Sequence, residues 1–185
     1  MSQGVCPWWV GYLLASPIRN VIQNAEDILM PYIRNGNWVL DVGSAMGFFS
    51  LPMARMVGDS GHVVCVDLQE RMIRTLRKRA ARRGLIERME LRVCTPASLN
   101  IQDLAEKFDF AMAFAVVHEV PDAKHLLSEV HLSLKKGGRL LLSEPSGHVS
   151  REAFDGTLST ANALGFRIAD SPKIQQSFAR VLVKN

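Results

Sequence analysis

The sequence lacks any apolar run of the ~18 residues that a membrane-spanning helix requires. Cysteine is scarce: Cys6, Cys65 and Cys94 are an odd number without CxxC spacing, which fits reduced thiols in a cytoplasm better than a disulfide framework. The longest early apolar stretch, from Val5 to Ala15, contains Pro7 and Gly11 and has no basic residue ahead of it, so no secretory leader is expected there. Internal repeats and low-complexity linkers are absent as well. With 48% apolar and 22% charged residues, the composition excludes a disordered or collagen-like chain. What remains is the length of one domain, 185 residues, enough to bury about 70% of the unfolded surface around its own core.

Charge is unevenly distributed. The net charge is +4, yet seven of the 22 basic residues fall between Arg71 and Arg83, a stretch without an acid. Elsewhere the chain is slightly acidic.

From about residue 38 to 143 the pattern alternates between strand and helix. Trp38–Val42 is a short apolar run that ends in a glycine-containing turn, and a helix from about Phe48 to Val57 tolerates Pro52 in its first turn. His62–Asp67 reads as a second strand, and Gln69–Arg83 as a second helix stopped by Gly84. Glu90–Val93 and Phe108–Phe114 are the third and fourth strands. A helix follows from Pro121-Asp122 to about Leu134, and the turn Lys135–Gly138 leads to a fifth strand, Arg139–Ser143. This alternation implies parallel strands with crossover helices in a three-layer α/β/α domain. After a helix from Ser150 to Leu164, Phe166–Ala169 and Phe178–Val183 are joined too closely for a helical crossover and are expected to be antiparallel. Ahead of the sheet, residues 1–36 form an aromatic and helical segment that is distinct from a core at 37–185. Its apolar positions Ile18, Val21, Ile22, Ala25, Ile28 and Leu29 recur at helical spacing.

The first turn is the most informative stretch. A strand delivers Asp41, and the small residues Gly43, Ala45 and Gly47 then lead into a helix, a loop whose backbone N–H groups suit a polar ligand. A dinucleotide is disfavoured on two counts. GxGxxG spacing fails, because Ala45 and Phe48 stand at the second and third glycine positions, and Asp41 would repel a pyrophosphate. A carboxylate at Asp41 instead attracts an ammonium group. Asp67, closing the second strand 20 residues after Gly47, can accept both hydroxyls of a ribose diol. The bland alternatives are a tight βα turn for the glycines and a helix cap for Asp67.

Asp41-Val-Gly-Ser-Ala-Met-Gly47 resembles the DxGxGxG motif of class I S-adenosylmethionine-dependent methyltransferases, with Ala45 in place of the middle glycine. Asp67 matches that family's ribose-binding acid, Phe108–Asp122 its fourth-strand motif, and Leu134–Leu142 its turn and fifth strand; the similarity spans about residues 36–184. The resemblance implies a Rossmann-like seven-stranded sheet, mostly parallel with a C-terminal antiparallel pair, and S-adenosylmethionine as methyl donor. It implies that Asp41 holds the methionine ammonium, that Gly43, Ser44, Ala45, Met46, Gly47 and Phe48 wrap the methionine part, and that Asp67 takes the ribose. It also implies that Leu68 lies on the adenine, that Thr95, Pro96 and Ala97 bound it, and that Ala115 passes near the sulfonium.

Methyl transfer is an in-line displacement dominated by positioning, so the fold alone does not fix a base. His118 and Glu119, following the fourth strand, are the polar candidates; the competing role for His118 is a hydrogen bond within the loop before Pro121. His118–Asp122 is no zinc HExxH helix, because it ends in Asp and contains Pro121, and no metal site is expected. His125 and His131 are expected at the surface. Trp8, Trp9 and Tyr12 offer apolar area with polar edges for an acceptor, or else cover the core. Arg71, Arg74, Lys78 and Arg82 form a stripe opposite Ile73, Leu76 and Ala80, a solvated face or an RNA-binding one. Only residues 1–36 and the loops after the fourth and fifth strands, Glu144-Pro-Ser-Gly147 included, are left to recognise an acceptor, so a small molecule is expected. The rivals are an RNA methyltransferase, a non-catalytic S-adenosylmethionine-binding protein and, last, a nicotinamide oxidoreductase.

Overall fold

The computed structural model describes residues 24–185. Cys6, Trp8, Trp9, Tyr12, Ile18, Val21 and Ile22 lie outside the described residues. The elements are, in chain order, α1 (Ala25–Leu29), β1 (Trp38–Val42), α2 (Ser50–Met56), β2 (His62–Asp67), α3 (Glu70–Ala81), β3 (Met89–Val93), β4 (Phe108–Phe114), α4 (Ala123–Ser133), β5 (Leu134–Pro145), α5 (Arg151–Ala163), β6 (Phe166–Asp170) and β7 (Ser177–Lys184). The seven strands form one sheet in the order β3-β2-β1-β4-β5-β7-β6. β1 to β5 pair in parallel, and β7 runs antiparallel to both β5 and β6.

Each central strand is apolar on both faces because helices cover both sides of the sheet. The two-residue period sorts the strand residues. Val39, Val63, Cys65, Phe110, Met112 and Leu141 pack with Ala25, Leu29, Leu51, Met53 and Leu76 of α1, α2 and α3. Leu40, Val42, Val64, Val66, Ala111, Leu140 and Leu142 pack with Leu126, Leu127, Val130 and Phe154 of α4 and α5. By the same parity Asp41 and Asp67 project toward the α2 face.

Two expectations are corrected. The β3–β4 crossover holds only a single 3₁₀ turn, Gln102–Leu104, and not a packed α-helix. A buried carboxylate anchors it instead: Glu129 of α4 accepts from Ser98 Oγ, the Leu99 amide and Gln102 Nε2. The Lys135–Gly138 turn lies within the span of β5 as a bulge. Leu134 pairs with Phe108 before the chain loops out and rejoins β4 at Arg139, opposite Phe110.

Candidate active site

The strand order reverses between β1 and β4, and the crevice outside the carboxyl ends of strands at such a switch point is where open α/β sheets bind ligands. β1 delivers Asp41 there, only 3% exposed, with Ser50 Oγ of α2 donating to its Oδ2. Burial pushes its carboxyl up to about 6; the Ser50 bond opposes that rise, and the charge of nearby Asp67 adds to it.

Asp67, 8% exposed, also lies at the rim and is likewise raised by burial. Its two oxygens accept backbone N–H groups from opposite directions: Oδ2 from Ala45 and Oδ1 from Gln69, both at 2.8 Å. The carboxylate therefore ties the glycine loop to the start of α3. Each oxygen retains a second acceptor site. Asp67 precedes the helix cap, which is Gln69.

The loop itself needs left-handed backbone at Gly43 (φ +73°), Ala45 (φ +46°) and Gly47 (φ +86°). A Cβ on Gly43 would sit 2.9 Å from Val116 Cγ2, and one on Gly47 would sit 2.3 Å from Leu76 Cδ1, so both glycines are also required by the protein's own packing. Met46 is buried, and its carbonyl accepts from Arg79 Nη1. Ser44 Oγ is buried without a hydrogen-bond partner among the described residues. An orphaned hydroxyl in a glycine turn, flanked by two rim carboxylates, suits a ligand that carries both a cationic group and hydroxyls.

A cavity of about 510 Å³ opens at Leu68, the residue after Asp67. It brings together Leu68, Thr95, Pro96 and Ala97 with Glu119, and adds Val120, Asp122, His125 and Glu129. Asp41, Gly43, Ser44, Ala45, Met46, Ala115 and His118 are not on its wall. Gly47 and Phe48 line a separate cleft of about 400 Å³ with Arg55, Arg79 and Arg83. Ala115 follows β4 with φ +56°, its amide bonded to the Ser143 carbonyl of β5.

His118 sits in the turn Val117–Glu119, and its Nδ1 is hydrogen-bonded to Oε2 of Glu144. That bond raises the imidazole's pKa, against the opposing effect of burial, and the charges of Glu144 and Glu119 raise it further. Glu144, at the end of β5 and 2% exposed, uses its other oxygen to accept the Val117 amide at 2.8 Å. Sequence reasoning missed Arg79, which lay outside the exposed stripe; it placed Glu144 in a loop left to recognise an acceptor but did not pair it with His118.

Arg71, Arg74, Lys78 and Arg82 are exposed, with Arg74 3.8 Å from Glu70. His125 is exposed, but the expected surface position of His131 is corrected: it is half-buried, edge-on to Phe166, and burial lowers its pKa. No cluster of residues able to hold a metal occurs among the described residues.

The sheet order and the glycine loop between two rim acids define a Rossmann-like ligand-binding domain. Comparison with known proteins makes the class specific: the chain belongs to the family described as Methyltransferase domain, which matches residues 33–183. It is 27% identical over 126 residues to the ubiquinone/menaquinone biosynthesis C-methyltransferase UbiE of Marinomonas sp., covering 66% of this chain and 49% of that protein. The chain thus spans about half the length of that relative. Among solved structures it resembles a SAM-dependent methyltransferase from Aquifex aeolicus (TM-score 0.84, 21% identity, 97% of this chain and 98% of that one). It also resembles the PH0226 protein from Pyrococcus horikoshii (TM-score 0.78, 21% identity, 98% and 100%).

Proposed function

We propose that this protein transfers a methyl group from S-adenosylmethionine to a small-molecule acceptor. The observation that carries the reading is the pair of buried carboxylates, Asp41 and Asp67, at the carboxyl ends of adjacent strands on either side of one glycine loop. Asp41 would hold the methionine ammonium, and the Gly43–Gly47 turn with Ser44 Oγ and Phe48 the methionine part. The free acceptor sites of Asp67 would take the ribose hydroxyls, and Leu68, Thr95, Pro96 and Ala97 would flank the adenine. Bound there, the cofactor supplies an electrophilic methyl group. Ala115 would lie near that group, His118 and Glu119 would face the acceptor, and Trp8, Trp9 and Tyr12 would cover it. The UbiE-type relatives support a small acceptor. Free Cys65 and Cys94 support a reducing, cytoplasmic setting, and among the described residues no helix is long and apolar enough to cross a membrane.

Isothermal calorimetry with S-adenosylmethionine tests the site. Asp67→Ala removes hydrogen bonds to a charged acceptor, each worth about 1.5–3 kcal/mol, so the affinity falls by more than about tenfold while the domain still melts cooperatively. An unchanged Kd in that variant refutes the ribose assignment.

A further inference from the structure

His118 and Glu144 come from different elements and meet where β4 and β5 end. Both oxygens of Glu144 are assigned. Oε1 accepts the Val117 amide, and Oε2 faces His118 Nδ1. A carboxylate cannot donate, so the neutral imidazole must carry its proton on Nδ1, which leaves Nε2 as the basic atom. The other groups against the ring are Glu119 from its own turn, with Oε1 4.0 Å from Nε2, and His148 from the segment after β5, with ring centroids 6.2 Å apart. The turn that carries His118 abuts the glycine loop, since Val116 packs over Gly43, and the next residue, Glu119, lines the cavity beside Leu68. A buried carboxylate that fixes one tautomer of a half-buried imidazole at the mouth of a methyl-transfer site is an arrangement for removing a proton.

We propose that Glu144 is a positioning residue that sets His118 as the proton acceptor, and that the methyl acceptor is a small molecule bearing a phenolic or enolic hydroxyl. This rests on the methyltransferase reading and adds the acceptor's class to it. The hydroxyl proton passes to Nε2 of His118. The electron pair left on oxygen forms the new bond to the methyl carbon, and the pair of the broken carbon–sulfur bond stays on sulfur. The imidazolium is held by Glu144 until its proton leaves to solvent. A phenol or enol, which ionises within a few units of an imidazole, is matched to such a base. A thioether or tertiary amine has no proton to lose and would not need one.

The test reads the ring directly. Nitrogen NMR of histidine-labelled full-length protein, without cofactor, is expected to show neutral His118 protonated on Nδ1. In Glu144→Gln the amide oxygen keeps the Val117 bond and the NH₂ group faces Nδ1. The tautomer therefore inverts, and the titration midpoint falls by about one unit or more. Glu144→Asp, which keeps the charge, restores the wild-type tautomer. A wild-type ring protonated on Nε2, or a tautomer and midpoint unmoved by Glu144→Gln, overturns the dyad, and the wild-type reading stands even where a variant fails to fold. Calorimetry with S-adenosylmethionine separates the two layers. Binding by the wild type with an unmoved ring overturns the dyad alone, whereas no binding by the wild type overturns the methyltransferase reading and the dyad with it. A labelled-methyl screen of phenols, enols, thioethers and tertiary amines checks the acceptor. Label on phenols or enols, reduced ~10²-fold or more in Glu144→Gln, supports the class. Label absent from every phenol and enol overturns it.

Discussion

Asp41 has almost no contact with water and one hydroxyl partner, so its ionised form is poorly solvated in the fold. Its carboxyl titrates near 6, against 3.8 for the free side chain. Between those values the folded protein binds more protons than the unfolded chain, and stability therefore falls as pH rises from about 4 to 6, by up to about 3 kcal/mol from this group. Asp41→Asn removes that slope, so melting curves of the variant and the parent should diverge with rising pH, the variant gaining. A bound ammonium reverses the preference and favours the carboxylate. Binding of S-adenosylmethionine should accordingly weaken below pH 6 and release protons, which calorimetry in buffers of different ionisation enthalpy measures. Equal heats in all buffers at pH 5.5 would contradict the ammonium assignment.

At the scale of elements, the β1–α2 loop was the most legible feature, because small residues between an apolar run and a helix leave few alternatives. The substitution at its centre shows what the pattern does not reveal. Ala45 adopts φ +46°, where a Cβ costs about 1–2 kcal/mol, while a glycine there would give the unfolded chain about 0.4–1 kcal/mol of extra freedom. Ala45→Gly is thus expected to stabilise the domain by roughly 0.5–1 kcal/mol, seen as a raised urea midpoint with an unchanged slope. The pairing of Glu144 with His118 and the role of Arg79 were not legible for a different reason. A terminal strand carboxylate becomes meaningful only when a neighbouring strand's turn folds over it, and that pairing is separated by 26 residues. Arg79 reads as one more cation on a basic helix until the Met46 carbonyl is placed beside it. The segment between β3 and β4 is held from outside, by a carboxylate of α4, Glu129, that nothing in the segment itself announces.

For the molecule as a whole, hydrophobic alternation and short connections were enough to foresee three layers and a closing antiparallel pair, since parallel strands need crossovers and the last two had none. They did not reveal that β7 inserts between β5 and β6. Ala179 and Val181 contribute to one core and Leu182 to the other, and seven residues of β5 pair with β7. Removal of residues 177–185 should abolish the cooperative thermal transition, as followed by circular dichroism. A truncated chain that still melted sharply would mean that the five parallel strands suffice.

The reversed direction of β7 has a practical corollary. Ser177 stands opposite Pro145 at the rim, whereas Lys184 reaches the Leu134 carbonyl at the far edge. Anything tethered beyond that last strand, such as a biotin tag or a sensor surface, emerges on the side away from the crevice, leaving its mouth unobstructed for ligand delivery.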